Sequence, residues 1–178
     1  MPHATRTQAA VLILVDLQQR LLPSIADGPA VVREALRLAQ IARLLDVPVI
    51  GTEQNPDALG PNLPELKALC QSTLAKHHFD ACRDGLVAAL PAGRRHAIVA
   101  GSEAHVCVLQ TALGLQAAGL DVTVVIDAIG SRSGHSRQAA VDRLAGAGIT
   151  CAKVEMVAFE WLETCRHPRF REVLALIK

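Results

Sequence analysis

AIVAGSEAHVC, residues 97–107, is the stretch that decides how this chain folds and where its chemistry sits. Ala97-Ile98-Val99-Ala100 is an apolar run rich in β-formers, and Gly101 punctuates it. From Ala104 onward apolar residues recur at helical spacing: Ala104, Cys107, Val108, Ala112, Leu115. The pattern is a buried strand turning into a helix, with Cys107 in the first helical turn. Free amide groups and the positive end of the helix dipole favour thiolate over thiol at such a place. The expectation is therefore a Cys107 pKa well below the ordinary value of about 8.5. The alternative is a small core residue, since free cysteine is among the most buried types.

Working outward, the same strand-then-helix scheme repeats along the chain. Apolar β-rich runs at 9–15, 47–52, 73–75, 95–100, 121–126 and 150–153 alternate with amphipathic stretches at 29–45, 63–70, 84–90, 104–118 and 136–147. Helical pieces around Ala158 and over 168–177 come last. Gly119 and Gly148 stand where helices end, and Pro29 suits a first helical turn. Six strands alternating with helices predict an α/β chain: a three-layer α-β-α sandwich around a doubly wound, six-stranded, mainly parallel sheet. Its two halves of three β-α units wind outward from the centre, making strands one and four neighbours, with a crevice above their carboxyl ends.

Composition narrows the function. With 178 residues and 51% of them apolar, the chain reads as one domain over 1–178. A net charge of +1, one Trp, three Phe and no Tyr supply neither a basic face nor stacking aromatics, so no nucleic-acid partner is expected. No run approaches the roughly 18 apolar residues of a membrane span, so no membrane partner is expected and the protein is read as cytoplasmic. Five cysteines, at 70, 82, 107, 151 and 165, are odd in number and form no CxxC pair, which reads as reduced thiols.

The predicted topology brings three chemical groups together. Asp16 closes strand one in LILVDLQ, Cys107 follows strand four, and Lys76 follows strand three in STLAKHHFD. Acid, amine and thiol form a machine for attack on an electrophilic carbon: Asp16 as general base, Lys76 as the cation that orients it and stabilises the thiolate, Cys107 as nucleophile. The amides of Glu103 and Cys107 are candidates for an oxyanion hole. Each residue also has a plain reading, Asp16 as a turn cap and Lys76 as a solvated side chain. Gln18, Glu53, Gln54, Phe79 and His105 are candidate substrate contacts beside the crevice. His77 and His78, as neighbours, point to different faces. Asp127 and residues 131–133 follow strand five as a capping loop or a subunit contact. A nucleotide site would need a Gly-rich loop after strand one, and Asp16-Leu17-Gln18-Gln19-Arg20 is not one.

LILVDLQ, TEQNPDALG, LAKHHFD and GSEAHVCVLQTALGLQAAGLDVTVVIDAIGSR, in this order, resemble the isochorismatase-like cysteine hydrolases over roughly residues 9–147, in the subgroup that carries TEQ after strand two. The resemblance implies an Asp16, Lys76, Cys107 triad, a cis peptide between Ser102 and Glu103 that shapes the oxyanion hole, no cofactor, and a homo-oligomer. The implied activity is a cofactor-free hydrolase working through a thioester on a small amide or related carbonyl compound. Thr52-Glu53-Gln54-Asn55-Pro56 lacks the histidine that nicotinamidases of this family use after strand two, so no metal site is expected. Asp80 and the two histidines also depart from the family pattern around the lysine. The competing reading is a binding or oligomeric scaffold of the same fold that has lost efficient chemistry.

Overall fold

Strand β1 (Ala10–Val15) is buried along its whole length and forms the middle of the sheet. In the computed structural model, which describes residues 6–178, β2 (Val49–Gln54), β3 (Ser72–Lys76), β4 (His96–Ser102), β5 (Asp121–Gly130) and β6 (Thr150–Ala152) complete a six-stranded sheet in the order β3-β2-β1-β4-β5-β6. Every strand pairing is parallel. The sheet reverses its winding between β1 and β4, as the six-strand reading predicts.

The period of two along β1 sorts the core into two layers. Ala10, Leu12 and Leu14 pack with α1 (Gly28–Leu44), α7 (Val154–Leu162) and α8 (Phe170–Ile177). Val11, Ile13 and Val15 pack with α5 (Leu109–Ala117) and α6 (Gly134–Gly146). A strand covered on both faces must be apolar throughout, which is why 10–15 reads as an unbroken run rather than an alternation. The apolar chain end belongs to this core: Val173 is fully buried, and Leu176 and Ile177 pack against the α1 layer.

Four stretches differ from the sequence-based expectation. The helix expected over 63–70 is the single turn α3 (Pro64–Lys67), because the chain reverses at once into β3, with Gln71 N–H donating to Val49 O. The helix expected over 84–90 is split by Gly85 at φ +95° into a 3₁₀ turn, Ala81–Asp84, and the one-turn α4 (Leu86–Ala89). One further helical turn, α2 (Pro56–Leu59), sits between β2 and α3. β5 runs to Gly130 rather than stopping at 126, after a register irregularity against β4 between Val99 and Gly101. Asp127 therefore lies inside β5 and not in the loop after it. Its Oδ1 accepts from Val154 N–H at 3.0 Å, placing a carboxylate on the first turn of α7 where the helix dipole favours it.

β4 meets β1 too closely for any side chain at Gly101. A Cβ there would stand 2.1 Å from Val15 O, and the residue holds φ +140°, a conformation that glycine alone adopts readily. This contact draws the carboxyl ends of the two central strands together, so that Asp16 beyond β1 and the turn beyond β4 share one space.

Candidate active site

Asp16 is the first residue beyond β1. Its backbone turns sharply out of the strand in a left-handed conformation, φ +51°, which aspartate tolerates better than most residues. The amide is tied to Thr52 O at 3.1 Å, and Thr52 Oγ1 donates to Asp16 Oδ1 at 2.7 Å. Lys76 is the last residue of β3, in register with Gln54 on β2. Its Nζ reaches past the end of β2 to lie 2.8 Å from Asp16 Oδ2. Both side chains are completely buried, so each charge depends on the other for compensation. The ammonium has two more acceptors, Gln54 Oε1 at 2.6 Å and His78 O at 3.3 Å. Among the described residues, Asp16 Oδ2 has no hydrogen-bond partner besides this ion pair.

Cys107 enters from β4. The residues after the strand, Ala104–Val108, form a wide π-type turn that leads into α5, so the thiol does lie in the first turn of a helix. It is 3% exposed and lies close enough to Asp16 and Lys76 for both charges to act on it. Their effect differs from the expected activation. Burial pushes the thiol up to about 12, the Asp16 carboxylate adds to that, and Lys76 only partly opposes it. At rest this is a protonated thiol beside a carboxylate, an arrangement for proton transfer during attack rather than for a standing thiolate.

The turn that presents Cys107 is trans throughout. No cis peptide occurs among the described residues, so the expected Ser102–Glu103 cis bond is corrected. The reversal is made by two positive-φ residues, Gly101 and Glu103 (φ +56°), which bend the chain without isomerising a peptide. Glu103 Oε1 pairs with Arg132 Nε at 2.9 Å, and His105 Nδ1 contacts Ser131 Oγ at 2.9 Å. Residues 131–132 thus clasp the turn within one chain. Ser102 Oγ is buried without a hydrogen-bond partner beside it. Val106 and Val108 amides turn back to Glu103 O.

The other candidate contacts separate. Gln54 lies against both Lys76 and Cys107, with Oε1 accepting from the ammonium and lying 4.0 Å from Cys107 Sγ. Gln18 is fully buried one step behind it: its Oε1 accepts from Gln54 N–H at 2.8 Å and its Nε2 donates to Gln54 O at 3.0 Å and Gly60 O at 2.6 Å. Gln18 holds the backbone at Gln54 and Gly60. Glu53 is taken by Asn62 N–H and Lys67 Nζ, both at 2.9 Å, and so is spent on α3. Phe79 is 51% exposed, and His105 is engaged with the clasp. Thr52, which was not among the expected site residues, orients the Asp16 carboxylate. The signal for it was its position at the end of a strand adjoining the one that carries Asp16. No group of three or more His, Cys, Asp or Glu among the described residues comes together to hold a metal ion.

His77 and His78 sit on a loop fastened by Asp84, whose Oδ2 accepts from both their amides at 2.9 Å and whose Oδ1 lies 2.9 Å from His78 Nδ1. The His78 side-chain bond comes first among the causes that lower Asp84 from 3.8 to about 2. A carboxyl lowered on folding contributes stability above its ordinary value, and that contribution is lost as pH falls through the folded value. The His77 and His78 amide resonances are therefore expected to hold their bonded shifts down to about pH 3 and to move with a midpoint near 2. A midpoint at 3.8 would refute the fastening.

The sequence that builds this geometry matches the isochorismatase domain over residues 10–156. The chain belongs to the isochorismatase domain family. It is 38% identical over 177 residues to isochorismatase domain-containing protein 2A of Mus musculus, a match that covers 96% of this chain and 84% of that protein. Among solved structures it is similar to the MAR1 ribonuclease of Caenorhabditis elegans, with a TM-score of 0.90 and 34% identity over 98% of this chain and 92% of that one. It is also similar to YcaC from Pseudomonas aeruginosa with hexane-2,5-diol and covalent acrylamide, with a TM-score of 0.91 and 28% identity over 99% and 92%. Family and fold together support a hydrolase.

Proposed function

We propose that this member of the isochorismatase domain family is a cofactor-free cysteine hydrolase of small amides, with Asp16, Lys76 and Cys107 as its triad. The observation that carries the reading is the fully buried Asp16–Lys76 ion pair converging with the Cys107 thiol at three strand ends. A buried charge pair is costly to maintain, and packing gives no reason for one beside a cysteine.

In the first half-reaction Cys107 Sγ bonds to the amide carbon while its proton passes to Asp16. The carbonyl π electrons move to oxygen, whose charge faces the amides of the helix's first turn and the Lys76 ammonium. The carbon–nitrogen bond then breaks, and the nitrogen leaves with the proton from Asp16. In the second half-reaction Asp16 takes a proton from water, hydroxyl adds to the thioester, and the carbon–sulfur bond breaks to release the acid and restore the thiol. Both halves balance without a redox partner or cofactor.

The covalent acrylamide on YcaC is in keeping with a reactive side chain in a related fold. The C. elegans neighbour is called a ribonuclease, whereas this chain has a net charge of +1 and 2% aromatic residues, too little for a strand-binding face. All five cysteines are unpaired, which fits a reducing compartment such as the cytoplasm. No helix among the described residues is long and apolar enough to cross a membrane. Met156 and Phe159, 52% and 41% exposed on α7, fit assembly into a homo-oligomer.

The test is ammonia release from a panel of small primary amides, with rapid acid quench and mass measurement of the peptide carrying Cys107. An acyl adduct on Cys107 that forms and decays with turnover supports the thioester. If no amide is turned over and Cys107 is never acylated, the reading falls and a binding scaffold replaces it.

A further inference from the structure

Cys107, Asp16 and Lys76 are 3%, 0% and 0% exposed, so nothing reaches the thiol until some group moves. A cleft of about 550 Å³ lies elsewhere, between α1, the end of β5 and α6, and none of the triad lines it. Gln54 is the side chain in a position to move. It is half-buried, it lies on the triad, and its Oε1 is 4.0 Å from Cys107 Sγ. Its backbone is fixed by Gln18 from both sides, so any movement falls to its own χ angles.

The hydrogen bonds of this side chain indicate what the site accepts. A carboxamide oxygen sits 2.6 Å from the Lys76 ammonium, next to the thiol, and the carboxamide nitrogen donates to His77 O at 2.8 Å. The chain supplies its own planar amide to the space where an amide would be attacked. We infer that Gln54 is the specificity-determining residue of this site: its side-chain amide occupies the subsite defined by Lys76 Nζ and His77 O and is displaced by ligands carrying the same acceptor and donor.

The inference rests on the hydrolase reading for its consequence and deepens it. An unsubstituted carboxamide replaces both of Gln54's hydrogen bonds when it enters. An N,N-dialkyl amide replaces only the one to Lys76, and a carboxylate brings a second negative charge against Asp16. The preferred ligands are therefore small primary carboxamides or ureides. Gln54 itself is not hydrolysed, because Gln18 holds its backbone and its oxygen, not its carbon, is turned toward Sγ.

The experiment measures the rate of Cys107 alkylation by iodoacetamide, located by peptide mass spectrometry, in the native protein, Gln54→Ala, Asp16→Asn and the double variant. Gln54→Ala is expected to react at least about tenfold faster, since a charge-assisted hydrogen bond no longer holds the cover shut. Propionamide should slow alkylation of the native protein more than N,N-dimethylpropionamide at the same concentration. An unchanged or slower rate in Gln54→Ala, with native alkylation still falling in Asp16→Asn, overturns the inference and leaves the hydrolase reading intact. A faster rate in Gln54→Ala that is indifferent to Asp16→Asn upholds the cover and removes the triad. If thermal melting shows that Gln54→Ala does not fold, the two amides acting on the native protein decide, and equal protection by both counts against the inference.

Discussion

Cys107→Ala loses hydrolysis by on the order of 10⁴-fold or more in kcat/KM while keeping its fold, because removing the nucleophile removes the covalent path and leaves only binding and electrostatics. Losing one small, weakly bonded thiol should leave unfolding nearly unchanged, so activity and stability separate. The pH behaviour is more diagnostic than the loss itself. With the thiol pushed up to about 12, little thiolate exists near neutrality, and the proton must leave to Asp16 during attack. The rate in the native protein is therefore expected to stay flat through the range near 8.5 where a free thiol ionises. A rise with a midpoint there would show that the thiol titrates independently and that Asp16 is not its base. The raised value has a matching effect on folding. A thiol whose pKa is raised by folding contributes stability below its unfolded value, and that contribution fades as pH climbs toward the folded one. The native protein should thus lose stability between roughly pH 9 and 12, and Cys107→Ala should lose less of it.

Lys76→Met destabilises the fold by about 3–5 kcal/mol, since it strands the Asp16 carboxylate without its counter-charge in a site closed to water. Asp16→Asn strands the ammonium in the same way, apart from its contacts to Gln54 and His78. The double variant Asp16→Asn/Lys76→Met has no buried charge left and should recover much of the loss, giving a large coupling in a double-mutant cycle read from urea midpoints. Penalties that simply add would mean that the two groups are not a pair. Neither single variant should turn over substrate, because one lacks the base and the other lacks the charge that orients it.

The convergence of Asp16, Lys76 and Cys107 was legible in the sequence because each ends or follows a strand, and parallel α/β sheets collect such ends at the point where winding reverses. It was less informative where the outcome depended on packing. Helix periodicity over 63–70 and 84–90 was real but was overridden by the demand to return the chain to the sheet and by Gly85. Gln18, Glu53 and Gln54 read alike, as polar residues at a crevice, yet one holds backbone, one is paired with Lys67, and one touches the thiol. Which way a side chain points at a strand end is decided by the local bend, and residue type does not encode it.

By itself, then, the sequence determined the strand and helix order, the parallel sheet, and the placement of Asp16, Lys76 and Cys107 at neighbouring strand ends, because periodicity and chain connectivity leave few alternatives for six β-α units. Only the tertiary structure decided the electrostatic character of the site. The helix's first turn alone favours thiolate, but burial and the neighbouring carboxylate outweigh it and keep Cys107 protonated. The carboxylate stands 91 positions away in sequence and the burial comes from the whole enclosing core, so both effects exist only once the chain has folded.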